Sequence, residues 1–400
     1  MTSRLIIIVT GANGGVGFGI CQRLLDQLAQ KKCPDARAAW VTEQPPSSDD
    51  EPVCTELTLI MACRSLKRAE SARMKLLYSL REYVELLTRE KGYDGHAERF
   101  EANLTVDVMY LDLAVVSSVF QFSEQIAHRY PYISHIICNA GVGGLIGIDW
   151  PVAIKQVLTT PVAAVTTPLF NLQRSGEISA DGLGWVWQCN VFGHYVLFRC
   201  LETVLKQAPR RFGGRVIWMS SHEASHKFYD ADDYQLIKTS HAYETSKYYI
   251  DVISAHLDSR AVASSSGTEP TIRHVIVDPG IASTAISSEQ IGMFLDFVKL
   301  LAFYLARVMG SQYHTITVTN AAVAAVHLSL LPLAFKSTIP IKYSSQANVW
   351  GNAYVGKSGI PDWEEFGAEG EGWLDQCEDL YERFSKENAV ASAASSPKLI

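Results

Sequence analysis

Residues 4–19 read RLIIIVTGANGGVGFG, and the reading of this stretch decides the fold. LIIIVT is an unbroken apolar run, rich in β-branched residues, as expected for a strand covered on both faces of a sheet. It stops at Thr10-Gly11 and gives way to FGICQRLLDQL, whose apolar residues return at helical intervals. Glycines at 11, 15 and 17 allow a tight turn in which backbone N–H groups approach a pyrophosphate, held at the positive end of the helix that follows. A glycine trio by itself fits an ordinary turn equally well. Its position directly after a first strand and before a helix points to a dinucleotide.

Further aliphatic runs follow: LTLIMAC (57–63), DVMYLDL (107–113), SHIICNAG (134–141), GGRVIWMSS (213–221) and IRHVIVDPG (272–280). Runs of this length, separated by helical patterns, predict an α/β fold: a Rossmann-type doubly wound parallel sheet in three αβα layers, with loop insertions and a C-terminal extension. One domain spans residues 1–385. Two stretches exceed ordinary strand–helix connections and read as insertions, about 33–56, rich in Pro, Ser and acidic residues, and 143–184, ending in DGLG before a helix resumes at Trp185. The small, polar residues of 386–400 predict a disordered tail.

Composition narrows the function. With 42 acidic and 35 basic residues the net charge is −7, which gives no electrostatic reason to expect nucleic acid. The eight cysteines form no CxxC pair and mostly sit in apolar runs, as buried free thiols do, so neither a disulfide framework nor a metal site is expected. The first apolar run is too short and too early for a signal peptide and reads as a strand, with the catalytic domain facing the cytosol.

Chemistry gathers at the strand ends. The second strand runs into Arg64-Ser65-Leu66-Lys67-Arg68 with no carboxylate. A carboxylate there would bind a ribose 2′-OH and repel a 2′-phosphate, whereas Arg64 can pair with the phosphate, so NADP(H) is preferred over NAD(H). Lys67 and Arg68 either add to that charge or form the solvated start of a helix. The fourth strand ends in Asn139-Ala140-Gly141, the fifth in Ser220-Ser221, and the sixth in Asp278-Pro279-Gly280 with Thr284 beyond. Strand carboxyl ends line the ligand crevice of such a sheet. Nearby, AYETSK places Lys247 four residues after Tyr243. On a helix the two share a face, where an ammonium would lower the phenol pKa and make an acid. Tyr234 and Lys238 have the same spacing, but their setting in YDADDYQLIK reads as surface.

Taken in order, TGANGGVG, NAG, QCNVFG, SS, YETSK and PG resemble the motifs of the short-chain dehydrogenase/reductase family over residues 4 to about 284. The resemblance implies that Tyr243 donates a proton to a carbonyl oxygen, that Ser221 binds that oxygen, that Lys247 lowers the tyrosine pKa and holds the nicotinamide ribose, and that Asn190 holds a water leading from Lys247 to solvent. Either serine of the pair fits the residues alone; the second is the family's match. The resemblance also implies cofactor contacts from Gly11, Asn13, Gly15, Val16, Gly17, Arg64, Asp112, Asn139, Ala140, Gly141, Tyr243, Lys247, Pro279, Gly280 and Thr284. The gap between Ser221 and Tyr243 is longer than in most members. A similar insertion marks the branch that reduces sterol ketones, and GIDWP, DGLGWVWQCNVFGHYVLFR, DDYQLIKTSHAYETSKYYIDVI and FYLARVMGSQYHTI are similar to that branch. It implies reduction of the 3-ketone of a C-4-demethylated sterol, such as zymosterone, to the 3β-alcohol. It further implies partners among the sterol C-4 demethylation proteins, at the cytosolic face of the endoplasmic reticulum and on lipid droplets. Another lipophilic carbonyl, retinal or a 17-ketosteroid, uses the same four residues, and a non-catalytic scaffold is the alternative outside enzymes.

Residues 291–309, IGMFLDFVKLLAFYLARVM, are apolar but carry Asp296, Lys299 and Arg307, which argues against a spanning helix. An interfacial helix or a lid over 285–312 fits better, with Phe294, Phe297, Leu301 and Tyr304 facing lipid or sterol and the cationic chains snorkelling. His327, alone in an apolar run, reads as structural.

Overall fold

The computed structural model describes residues 4–36, 54–264, 272–283, 285–331 and 340–395. Thr284 and most of the first insertion lie outside the described residues. The described residues hold ten strands: β1 Leu5–Thr10, β2 Leu57–Cys63, β3 Leu104–Tyr110, β4 His135–Cys138, β5 Leu145–Ile148, β6 Asn171–Gln173, β7 Arg215–Met219, β8 Arg273–Asp278, β9 Lys342–Ala347 and β10 Ala353–Ser358. Eight of them form one sheet in the order β10-β9-β8-β7-β4-β1-β2-β3, all parallel except β10. The order reverses between β1 and β4, so a ligand crevice opens at the carboxyl ends of those two strands.

Every residue of β1 and β2 is buried, which explains why their sequences show no alternation. Ile6 and Ile8 point to one core, while Leu5, Ile7 and Val9 point to the other. The second core lies under the helices Gly15–Ala29, Leu66–Leu87 and Val323–Leu330. The first lies under Val116–Arg129, Gly193–Lys206, Ala242–Ser264 and the C-terminal helix. Burying each large aliphatic side chain contributes about 1.5–3 kcal/mol. Trp218, the largest wholly buried side chain, stays satisfied because its Nε1–H donates to His274 Nδ1 at 3.1 Å.

Two features differ from the sequence reading. The C-terminal helix Gly370–Ser395 continues through residues 386–395, which the composition assigned to a disordered tail. Its alanines favour helix, and Trp373, Leu374 and Cys377 anchor the preceding turns in the core. Tyr195 also donates to Glu378 at 2.5 Å, and Arg199 bonds the same carboxylate. The second insertion is an ordered cap rather than a loop: β5 pairs with β6, and the helices Trp150–Thr159 and Pro161–Thr166 lie between them. Asp149 caps the first of these helices through Val152 N–H at 3.2 Å.

The helix Ala285–Val308 packs beside Pro161–Thr166. Phe297, Leu301, Tyr304, Leu305, Val308 and Met309 are exposed, while Phe303 and Ala306 turn inward. The Phe294 side chain lies outside the described residues. Arg307 does not snorkel: it is buried, and its guanidinium donates to the His314 and Thr315 carbonyls at 3.0 and 2.9 Å. The loop after the helix folds back beneath it, so those carbonyls are nearer than water. Among the described residues no helix is long and apolar enough to cross a membrane. His327 is buried and its Nδ1 lies 2.6 Å from the Asp35 carbonyl, a structural role.

Candidate active site

The turn between β1 and its helix brings the predicted glycines together. Gly11 and Gly15 have φ of +65° and +52°, the left-handed region that favours glycine. A Cβ at Gly17 would lie 2.4 Å from the Gly11 carbonyl oxygen and 2.5 Å from Asn139 Nδ2, so only glycine lets the helix start against β4. Asn13 and Val16 belong to the same turn. Thr10 braces it from below. Its hydroxyl accepts the N–H groups of Asn139 and Ala140, each at 2.9 Å, and Asn139 Nδ2 donates to the Thr10 carbonyl at 2.9 Å.

His194 extends this brace toward the catalytic residues. Burial pushes its pKa down to about 4, so the ring is neutral. Its Nδ1 lies 3.1 Å from the Asn190 carbonyl, which can only accept, so Nδ1 carries the proton. Nε2 is then left to accept from Thr10, 3.0 Å away. Thr10 and His194 were not singled out in the sequence, because nothing marks a threonine before glycine or a helical histidine as functional.

Asn190 lies in a single π-helical turn, Gln188–Phe192, a distortion that often marks functional sites. The wholly buried side chain accepts from Val142 N–H at 2.8 Å and donates to the Val142 carbonyl at 3.0 Å and to Ser246 Oγ at 2.9 Å. Gly141 is seated against it: a Cβ there would approach Asn190 Oδ1 at 3.2 Å and Lys247 Nζ at 3.6 Å.

Tyr243 and Lys247 lie on the helix Ala242–Ser264, on one face, with Nζ 5.7 Å from the phenol ring centre. The Tyr243 N–H donates to Gln173 Oε1 at 3.0 Å, and Gln173 Nε2 donates to Glu244 at 2.6 Å. Gln173 comes from β6, so the cap holds the amino end of the catalytic helix. Ser221, just past β7, contributes a hydroxyl that works against the rise of the Tyr243 phenol pKa and accepts from Glu223 N–H at 3.1 Å. Ser220 is turned away: its N–H joins the ladder at the Val277 carbonyl, 2.7 Å, and its hydroxyl lies 3.4 Å from the Lys247 carbonyl. Of the two serines, Ser221 is the one whose hydroxyl acts on the phenol, while Ser220 is taken up by the sheet and the Lys247 carbonyl.

The electrostatics correct one expectation. Burial of Tyr243 outweighs whatever lowering the nearby Lys247 ammonium gives. Burial pushes the phenol up, the Glu223 carboxylate adds to the rise, and only the Ser221 hydroxyl opposes it to any extent. Lys247 instead donates to the Met219 carbonyl at 2.7 Å, and burial brings its own pKa down to about 8. Burial also pushes Glu223 up to about 8, with Glu244 and Asp278 adding to the rise. Burial thus draws both Lys247 and Glu223 toward neutrality from opposite sides.

Arg64 is exposed where β2 ends. Ser65 caps the next helix by accepting from Arg68 N–H at 3.4 Å. Asp112 lies just beyond β3, where its Oδ1 accepts from Ala114 N–H at 3.0 Å. Pro279 and Gly280 follow β8. Gly280 has φ +66°, and a Cβ there would lie 2.6 Å from the Tyr313 carbonyl oxygen.

A phenol influenced by a nearby serine hydroxyl, with a buried ammonium one turn away and a glycine turn at the adjacent switch point, is built for proton transfer beside a dinucleotide. That is the chemistry of the short-chain dehydrogenases and reductases, and fold and site together place the chain in this class. Proteins named 3-keto-steroid reductase align along most of it. The one from Candida glabrata is 30% identical over 357 residues, covering 89% of this chain and 89% of its own. The one from Aspergillus fumigatus is 31% identical over 356 residues, covering 82% of this chain and 73% of its own. The Saccharomyces cerevisiae protein is 30% identical over 355 residues, covering 88% of both. The chain belongs to the 3-keto-steroid reductase family. No protein-family model matches it. Among solved structures, an uncharacterized protein from Mycobacterium paratuberculosis shares the fold with a TM-score of 0.50 and 16% identity, covering 95% of this chain and 94% of that one.

Proposed function

We propose that the chain reduces the 3-ketone of a C-4-demethylated sterol, such as zymosterone, to the 3β-alcohol with NADPH. The observation that carries this reading is the meeting of Ser221, Tyr243, Lys247 and Asn190 at one strand-end crevice in a member of this family. The residues fit the cofactor. The glycine turn leaves no side chain between the helix start and a pyrophosphate, and Arg64 stands where β2 ends with no carboxylate in the segment 64–68. When bound, NADPH supplies the hydride. As negative charge develops on the ketone oxygen, Ser221 donates a hydrogen bond to it and Tyr243 gives it a proton. The Lys247 ammonium stabilises the phenolate left behind, and Asn190 keeps the helix and the β4 loop in register through both its oxygen and its nitrogen.

The helix Ala285–Val308 exposes apolar residues and packs against the Pro161–Thr166 helix of the cap, whose neighbouring helix exposes Ile154, Val157 and Leu158. A lipid surface suits such a face, and we place the protein on the cytosolic face of the endoplasmic reticulum and on lipid droplets, beside the proteins of sterol C-4 demethylation. Introducing negative charge there, with Leu301→Glu and Leu305→Glu together, should abolish flotation with phospholipid vesicles; unchanged flotation removes this placement.

The activity is tested by following NADPH oxidation with zymosterone in detergent, with NADH and a non-steroid ketone alongside. Turnover favouring NADPH and the sterol supports the reading. Turnover of the non-steroid ketone alone keeps the chemistry and removes the sterol.

A further inference from the structure

The helix face that carries Tyr243 and Lys247 reaches Asp251 one turn further on. Asp251 is wholly buried. Lys342, the first residue of β9, places Nζ 2.8 Å from Asp251 Oδ2 and 2.8 Å from the Ser221 carbonyl oxygen. The Lys342 side chain is only 6% exposed. The pair is shielded from water and touches both the catalytic helix and the backbone of the active serine. Stability alone is a poor reason for such an arrangement, since replacing a buried ion pair by apolar residues of similar size is often neutral or stabilising.

Charge gives a better reason. Two buried amines act on the single carboxylate of Asp251: Lys342 by direct contact at 2.8 Å, and Lys247, one helical turn away on the same face, through space. The other groups facing Lys247 are Tyr243 on its own helix, the Met219 carbonyl at the end of β7, Cys138 of β4 and neutral His194. Asp278 of β8 also raises Asp251 electrostatically. We infer that Asp251 and Lys342 are positioning residues of the reduction: the pair divides one negative charge between two ammonium groups, so that Lys247 keeps its proton at neutral pH while the Ser221 carbonyl is held in place. This inference rests on the catalytic roles proposed above. Burial drives the Lys247 proton off, Asp251 works against that and Lys342 works with it, so removing the two partners has opposite consequences. A merely structural pair has no such signature.

The test uses Asp251→Asn, Lys342→Met and the double variant. The pH at which kcat for reduction falls should move down by about one unit in Asp251→Asn and up by a similar amount in Lys342→Met, the shift that one close charge gives. In the double variant it should return to just below the unsubstituted value, with kcat still reduced about tenfold because the Ser221 carbonyl has lost its donor. A second readout needs no substrate. The Tm deficit of Asp251→Asn should shrink as the pH rises from about 7 to about 9.5, as Lys247 sheds its proton. That of Lys342→Met should shrink as the pH falls, as Asp251, already raised by burial, gains a proton. Shifts of the same sign, or deficits that do not change with pH, overturn the inference. Should either single variant fail to fold, a double variant with kcat and pH limb both unchanged overturns it as well. If the protein turns over no sterol ketone, the substrate reading fails while the Tm measurement still decides on the pair.

Discussion

Tyr243–Lys247 and Tyr234–Lys238 have the same spacing and lie nine residues apart in the sequence, yet the chain treats them differently. Tyr243 and Lys247 sit on a continuous helix with Lys247 fully inside, where its amine bonds a main-chain carbonyl. Tyr234 and Lys238 follow a single 3₁₀ turn, and Leu236 between them has φ +57°. Tyr234 packs edge-on to Trp187, and its hydroxyl accepts from Gln235 Nε2, while Lys238 Nζ turns to the Asp232 carbonyl at 3.2 Å. A shared face requires a helix, and a perturbed ammonium requires burial. Spacing supplies neither.

The sharpest way to break this contrast is Tyr243→Phe. Removing the proton donor should lower kcat about 10³-fold while NADPH still quenches tryptophan fluorescence with its original affinity; a variant retaining a tenth of the activity would return the acid role to another group. The pH profile comes next. Because burial brings Lys247 down to about 8, and the ammonium is the active form, the rate of reduction should hold below that pH and fall about tenfold per unit above it. A rate that climbs steadily into alkali contradicts this. Arg64→Glu should cost roughly ten- to a hundredfold in NADPH affinity, the worth of a charge-assisted contact, and spare NADH; equal losses for both cofactors would remove Arg64 from the 2′-phosphate. Tyr234→Phe gives the smallest effect. It should leave kcat within about twofold and cost no more than about 1.5 kcal/mol of stability from one hydrogen bond.

Much of the architecture was legible in the chain. Strands buried on both faces announce themselves as apolar runs, and β1, β2, β4, β7 and β8 all coincide with such runs. β9 and β10 did not, because KYSSQA and AYVGKS look like loop. In β9, Ser345 is buried because its hydroxyl donates to the Ala321 carbonyl at 2.7 Å, and such a partner is chosen by packing. The cap was legible only as an insertion, since the hairpin that orders it pairs residues more than twenty positions apart.

Local chemistry could be read directly: which turn needs glycine, which helix carries a tyrosine and a lysine on one face, and which strand end lacks a carboxylate. Those depend on neighbours a few residues away, and backbone sterics and helical periodicity are properties of the chain itself. Protonation could not. The rise of Tyr243, the fall of Lys247 and the sharing of Asp251 with Lys342, 91 residues distant, depend on how much water is excluded and which distant charges arrive beside them. Only the folded protein decides both, because desolvation and Coulomb energy act through space and take no account of sequence order.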